Sequence, residues 1–300
     1  MLYVMNYADS AFENVRKQNT VSAYKYGKTE IVLEYGPNDI DEGYKLEHRS
    51  IFSYKRGAGL WLWKPYLIIK ALETLTEEDW LFYCDAGAVF INSLIPLVNF
   101  AEQNGKDVLF FELPLLAKEF TKKETLLKCG DDGNHNQILA SYMLLRKSDR
   151  VFALLKEWQT LCEDESLLSP KVFNTNIKEN PLFGGHREDQ SLLDIVVRRH
   201  GLEVFRDPSD YGEFPFHYQH DPNWTYCAKK YPDCNYPTIL LGVRNLDLMK
   251  YKKNYRRFHF MSALGLYNAA IFFAKRRFMI WLYSESFIHT IYKKLFKQSC

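Results

Sequence analysis

Residues 80–90 read WLFYCDAGAVF: five apolar or aromatic residues from Trp80 to Cys84, then Asp85, then Ala86 and Gly87 before the chain turns apolar again. A short, unbroken apolar run ended by a carboxylate is the pattern of a strand packed on both faces in a helix-covered sheet. Outward from it, further short runs at 2–6, 31–35, 108–112, 139–146 and 202–206 read as strands, and 65–75, 148–162 and 188–200 read as helices. That alternation predicts an α/β fold over residues 1–248, with a mainly parallel sheet and helices on both faces. In such a sheet ligands collect beyond the carboxyl ends of the strands, which singles out Asn6, Asp85 and Glu112.

Three hundred residues, 47% of them apolar, can bury one large core. The 39 Lys and Arg residues against 37 Asp and Glu give a formal net charge of +2, too little for the field that nucleic-acid binding requires. The six cysteines show no paired CxxC spacing, which points to a reducing compartment without structural zinc. Cys227 and Cys234, in a Tyr- and Pro-rich loop, read as free thiols rather than a disulfide. The first ten residues, MLYVMNYADS, carry no basic region and no long apolar run, so a strand is expected there and no secretory signal; the expected location is the cytoplasm.

Three segments offer chemistry. Asp85 at a strand tip, followed by small residues that let a ligand approach, suits a metal-bridged diphosphate; an Asp capping the next turn would look the same. In RGAGLWLWKPYLIIKAL, Arg56 and Lys64 can neutralise phosphate, and the turn around Gly57 and Gly59 before a helix can offer backbone donors to an anion. Equally, Trp61 and Trp63 could be core and the cations solvated. In GGHREDQSLLDIVVRRHG, Glu188 or Asp189 could take a proton from a sugar hydroxyl, with His186 and Gln190 as hydrogen-bonding neighbours, or could cap the helix. The stretch 211–239, rich in Pro, Tyr, His and Asn, reads as loops over a cleft.

Taken in order, MLYVMNYADS, RGAGLWLWKPYLI, YCDAGAVF and HREDQSLLDIV resemble the bacterial GT-A-fold glycosyltransferases of capsule, O-antigen and lipooligosaccharide assembly, over about residues 1–245. The resemblance implies a Rossmann-like hexosyltransferase that moves a sugar from a nucleotide-sugar, by default UDP-linked, to a saccharide or lipid-linked acceptor. It places Asn6 and Tyr7 against the base or ribose, with Arg56, Gly57, Lys64, Asp85 and Gly87 around the diphosphate. Asp85 takes the first position of the metal-binding DxD motif, for Mn2+ or Mg2+, while Gly87 stands where many relatives have the second Asp. Glu188 and Asp189 take the catalytic position, Gln137, His186 and Gln190 the sugar or acceptor pocket, and His217 or His220 a further metal ligand. A non-catalytic nucleotide- or carbohydrate-binding relative is the competing expectation, with Gly87 as its mark.

Residues 250–300 carry eleven Lys and Arg against one acid, Glu285, interleaved with aromatic and aliphatic residues. That pattern predicts a helical tail, 249–300, lying on an anionic membrane surface, the cytoplasmic face of the bacterial inner membrane. The apolar stretch 258–274 is short and polar for a spanning helix.

Overall fold

The computed structural model describes residues 1–219, 223–244 and 246–266. The chain divides into two units, Met1–Asn245 and Leu246–Cys300. The first is built on a six-stranded sheet of order β2-β1-β3-β6-β5-β7. Its strands are β1 (Leu2–Tyr7), β2 (Ile31–Tyr35), β3 (Trp80–Cys84), β5 (Val108–Leu116), β6 (Asn136–Arg146) and β7 (Val204–Arg206); β4 (Val89–Phe90) and β8 (Leu240–Leu241) pair separately. Three of the five pairings are parallel and β6 alone runs against its neighbours. The expected α/β fold is therefore present, with two strands longer than their apolar runs: β5 continues to Leu116, and β6 begins at Asn136 because its first residues are polar but paired.

The period of two along each strand fills both faces. Met5, Tyr7, Leu81 and Tyr83 face a core made with helices α2 (Trp63–Glu73), α4 (Asp149–Glu163) and α5 (Glu188–Arg199), while Leu2, Val4, Phe82 and Cys84 face a second core. Helices α1 (Glu13–Ser22) and α3 (Ile95–Gln103) flank that second side, with Ala23, Leu97, Phe100 and Ala101 in its core. The apolar spacing of α4 puts Val151, Leu154, Leu155, Trp158 and Cys162 on its buried stripe, and Ser148 caps its start by accepting from Val151 N at 3.2 Å. Trp158 then donates its indole N–H to Asp189 O at 2.8 Å, so the core residue of one helix fixes the first turn of the next. Along β6 the buried set passes from Ile138 and Ala140 to Met143 and Leu145 on the same face, a change of phase at Ser141. The strand edge there, Ala140 to Tyr142, opens towards the cleft described below.

Ahead of α2 the chain makes a left-handed turn. Gly57, Ala58, Gly59, Leu60 and Trp61 all have positive φ, from 49° to 96°, a region costly for residues with a Cβ. Its amides close on the chain itself: Leu60 N donates to Arg56 O at 2.9 Å and Trp61 N to Gly57 O at 3.1 Å. Trp63 locks it by donating from its indole to Gly57 O at 3.0 Å and by stacking on Tyr7 with ring centres 3.6 Å apart. In the second unit Leu248–Ala263 forms helix α6, capped by Asp247, which accepts from Lys250 N at 2.9 Å. No helix among the described residues is long and apolar enough to cross a membrane; tail residues 267–300 and His220 lie outside the described set. The five described cysteines form no disulfide.

A methyl group on Gly57 would lie 2.3 Å from the Trp61 ring. Gly57→Ala is expected to destabilise the protein by about 1–3 kcal/mol, through the left-handed φ and the clash together. Chemical denaturation of the two proteins checks it.

Candidate active site

A cleft of about 810 Å³ opens at the carboxyl ends of β1 and β3. Its floor comes from these strand ends, one wall from the left-handed turn and α2, another from the first turn of α5, and a rim from the loops after β7 and β8.

At its base the Lys64 ammonium is almost wholly buried, 2.8 Å from Asp189 Oδ2 and 3.6 Å from Asp85 Oδ1, and it also donates to Ala140 O at 3.3 Å. Burial works against this charge, but the Asp189 and Asp85 carboxylates outweigh it and hold the lysine pKa above its ordinary value. Asp189 is pushed up to about 6 by burial, with Lys64 opposing the shift and Asp85 and Glu188 adding to it. Next to it Glu188 is buried and also raised by burial; Arg56 counters, holding it in a two-pronged contact at 2.5 and 3.3 Å. Glu188 has φ of 35°, a strained entry to α5 that aims two adjacent acids at one cleft. Asp85 accepts from Tyr83 OH at 2.6 Å and remains 38% exposed, so it meets the cleft with part of its carboxylate free.

Tyr7, Arg56, Gly57, Lys64, Asp85, Gly87, Glu188, Asp189 and Gln190 all line this cleft, together. Asn6 does not: the side chain after Met5 on β1 points away, and its amide donates to Asn19 at 2.9 Å and Thr20 at 3.2 Å. Gln137 does not either; it is an interior residue of β6 whose Oε1 accepts from Gln190 at 2.8 Å and Arg187 at 3.2 Å, so it orients two cleft residues instead of touching a ligand. His186 is buried behind the cleft, accepting from Lys122 N through Nδ1 and facing Leu167 O through Nε2, and burial lowers its pKa to about 3. Glu112, expected at a strand end, instead lies in the middle of β5, which runs on to Leu116, and faces an adjoining hollow where Arg198, Lys229 and Tyr231 already meet its carboxylate at 2.7 to 2.9 Å. The glycine turn offers no free amides from Ala58 to Trp61, because all four close on backbone carbonyls of residues 54–57.

A divalent cation at Asp85 can be tested on these contacts. Only one carboxylate stands at the strand tip, already bonded to Tyr83 and close to an ammonium, while Asp189 is occupied by Lys64. Gly87 supplies no ligand, and a Cβ there would come within 3.2 Å of Arg244 Cα. His217 lies among the rings of Tyr211, Phe214 and Phe216 and does not line the cleft. Among the described residues the cluster able to gather three metal-binding side chains is Asp131, Asp132 and His135, none of which lines the cleft. The residues around Asp85 therefore do not fit a metal ion.

Two cleft cations escape a reading of the sequence. Arg187 lies within the quoted HREDQ string, but nothing in its spacing tells that its guanidinium packs 3.8 Å from the Phe120 ring centre. Arg244 arrives through the pairing of β8 with β4, Leu241 opposite Val89, and its N–H donates to Gly87 O at 2.6 Å.

No family model and no curated protein sequence matches the chain. Among solved structures it is similar to mouse xyloside xylosyltransferase 1 (11% identity over 81% of this chain and 97% of that one, TM-score 0.44). It is also similar to the galactosyltransferase LgtC in complex with donor and acceptor sugar analogues (16% identity, 80% and 86%, TM-score 0.41). A third likeness is to the apo form of the glycosyltransferase GlyE of Streptococcus pneumoniae TIGR4 (16% identity, 80% and 53%, TM-score 0.36).

Removing the Lys64 charge leaves Asp189 buried and unpaired. Lys64→Met is expected to cost about 3–5 kcal/mol of stability. The loss is larger at pH 8 than at pH 5, because without the ammonium the Asp189 pKa climbs further above about 6 and the acid is neutral at the lower pH. Urea denaturation of both proteins at the two pH values reads the difference.

Proposed function

We propose that the chain is a glycosyltransferase of the GT-A kind that moves a sugar from a nucleoside-diphosphate donor, UDP-linked by default, to a hydroxyl of a saccharide or lipid-linked acceptor. The observation that carries the reading is the buried Lys64 between Asp85 and Asp189 at the carboxyl ends of the central strands, in a cleft large enough for a nucleotide-sugar. Such a site pairs a carboxylate able to accept a proton with cations able to hold a leaving diphosphate.

In this reading Asp189 is the base. Its pKa of about 6 leaves it ionised at neutral pH yet more basic than an exposed aspartate. Lys64 holds it in place, and Trp158 and Gln137 fix the first turn of α5 from behind. Glu188, held by Arg56, keeps a second acid beside the acceptor position. Asp85 turns its exposed oxygen to a sugar hydroxyl, and Tyr7, backed by Trp63, offers its remaining ring face and edge to the base or ribose.

A role in surface polysaccharide assembly at the cytoplasmic face of the membrane belongs to the same proposal. The cationic, aromatic sequence of 250–300 supports it. The full chain is expected to sediment with vesicles containing anionic lipid and not with neutral ones, and to be released by salt. A binding protein without turnover is the competing reading, and nucleotide binding with no sugar release across UDP-, GDP-, dTDP- and CMP-sugars would establish it.

Asp189→Asn is expected to lower the rate of nucleotide release in the presence of acceptor by about 10²–10⁴-fold with little change in donor binding. The wild-type rate should rise with pH through about 6, as Asp189 loses its proton, and be flat above. A rate unchanged by the substitution removes Asp189 from the chemistry.

A further inference from the structure

Not every cation that lines the cleft is paired with one of its acids. Arg56 is paired with Glu188, and Lys64 with Asp189 and Asp85. Arg187 is half-buried, yet no carboxylate lies within ion-pair distance of it among the described residues; its guanidinium donates to Gln137 Oε1 at 3.2 Å and packs on the face of Phe120, with Tyr218 and Glu188 farther off. Arg244 is exposed at the rim, and its side chain has no hydrogen bond or ion pair among the described residues. Burial lowers the Arg187 pKa to about 10, with Tyr218 and Glu188 opposing the shift and Arg244 adding to it, so the two guanidinium groups feel one another. Unanswered guanidinium groups at the end of a pocket are an arrangement that an anion completes.

Their position matters as much as their charge. Arg244 backs onto Gly87, two residues beyond Asp85: its N–H donates to Gly87 O at 2.6 Å, and its Cα would stand 3.2 Å from a Cβ at 87. A side chain at 87 would therefore press on the backbone of 244, and this chain has glycine at the first position and arginine at the second. Its non-glycine φ of 52° is a backbone strain spent at the cleft mouth.

We propose that the negative charge of the departing diphosphate is met by Arg244 and Arg187, in place of a divalent cation. The inference rests on the glycosyl-transfer reading above. Overall, the bond between the anomeric carbon and the β-phosphate oxygen breaks and its electron pair stays on that oxygen, to which the guanidinium N–H groups donate. The acceptor oxygen bonds to the anomeric carbon and its proton passes to Asp189. Asp85, with no metal to hold, keeps Lys64 and Tyr83 in place and takes a sugar hydroxyl. Transfer is then indifferent to chelators.

Calorimetric titration of the full chain with UDP, inorganic pyrophosphate and uridine, in EDTA and in MnCl2, tests this. Pyrophosphate reads the diphosphate site whatever the base. Expected are binding of UDP and pyrophosphate in EDTA within about twofold of that in Mn2+, and a loss of about tenfold or more for both in Arg244→Ala and in Arg187→Met. Uridine binding should be unchanged, and Arg244→Lys should restore part of the loss. Arg244 is exposed, so its variant is expected to fold even if Arg187→Met does not. Binding that requires Mn2+ and disappears in Asp85→Ala overturns the inference and leaves the transferase reading standing. Metal-free binding that neither arginine variant weakens overturns it too. Failure of pyrophosphate and of UDP, GDP, dTDP and CMP to bind with or without metal removes the transferase reading and this inference with it.

Discussion

An ammonium group with almost no access to water has to be surrounded by negative charge or give up its proton, and around Lys64 the whole cleft is arranged to meet that demand. Asp189 approaches from α5, Asp85 from the end of β3 and the Ala140 carbonyl from β6, so one side chain ties together three elements that are far apart in the chain. The lysine itself is carried by the first turn of α2, whose direction is fixed by the packing of Trp63 on Tyr7. Disturbing any of these elements leaves a buried charge without its partner, the most costly event available to a protein interior.

The left-handed turn before α2 follows from the same need. Lys64 must enter the core while Arg56, eight residues earlier, remains 61% exposed at the cleft mouth to hold Glu188. A reversal this tight requires five successive positive φ values, and the two glycines reduce its steric cost. Glu188 on the opposite wall also has positive φ, so both sides of the cleft hold charged residues on or next to strained backbone. Rigid placement suits chemistry in which charge develops at fixed points, because the groups that meet it need not reorganise.

Charge balance then gives the cleft its polarity. Asp85 and Asp189 are matched at the floor by Lys64, and Glu188 nearer the mouth by Arg56, while the guanidinium groups of Arg187 and Arg244 have no carboxylate within ion-pair distance among the described residues. A ligand with an anionic end and a hydroxyl-rich end would lie along that gradient in one direction only. Binding and orientation are thus two consequences of one distribution of charge.

How much of this was legible beforehand can be followed residue by residue. The strands at 31–35 and 80–84, the helix from Glu188 and the helix after Ser148 were written in apolar periodicity and caps, which are local and hence visible in the sequence. Asp85, Lys64, Glu188 and Asp189 could be chosen because carboxylates at strand ends and helix starts face a cleft in this kind of sheet. Asn6, Gln137 and His186 could not be judged that way: each is polar, and one residue of register separates a side chain in the cleft from one behind it. Nor could the fate of the glycine turn, whose amides are spent on its own carbonyls, or the arrival of Arg244 beside Gly87 across more than 150 residues. By itself, then, the sequence determined the alternating strands and helices and which acids and lysine would stand at strand ends and helix starts, since these depend on neighbours in the chain. Only the tertiary structure decided that Lys64 bridges two of those acids and that Arg244 comes to stand beside Gly87 at the strand tip, because both facts depend on which residues distant in the chain meet in one small volume.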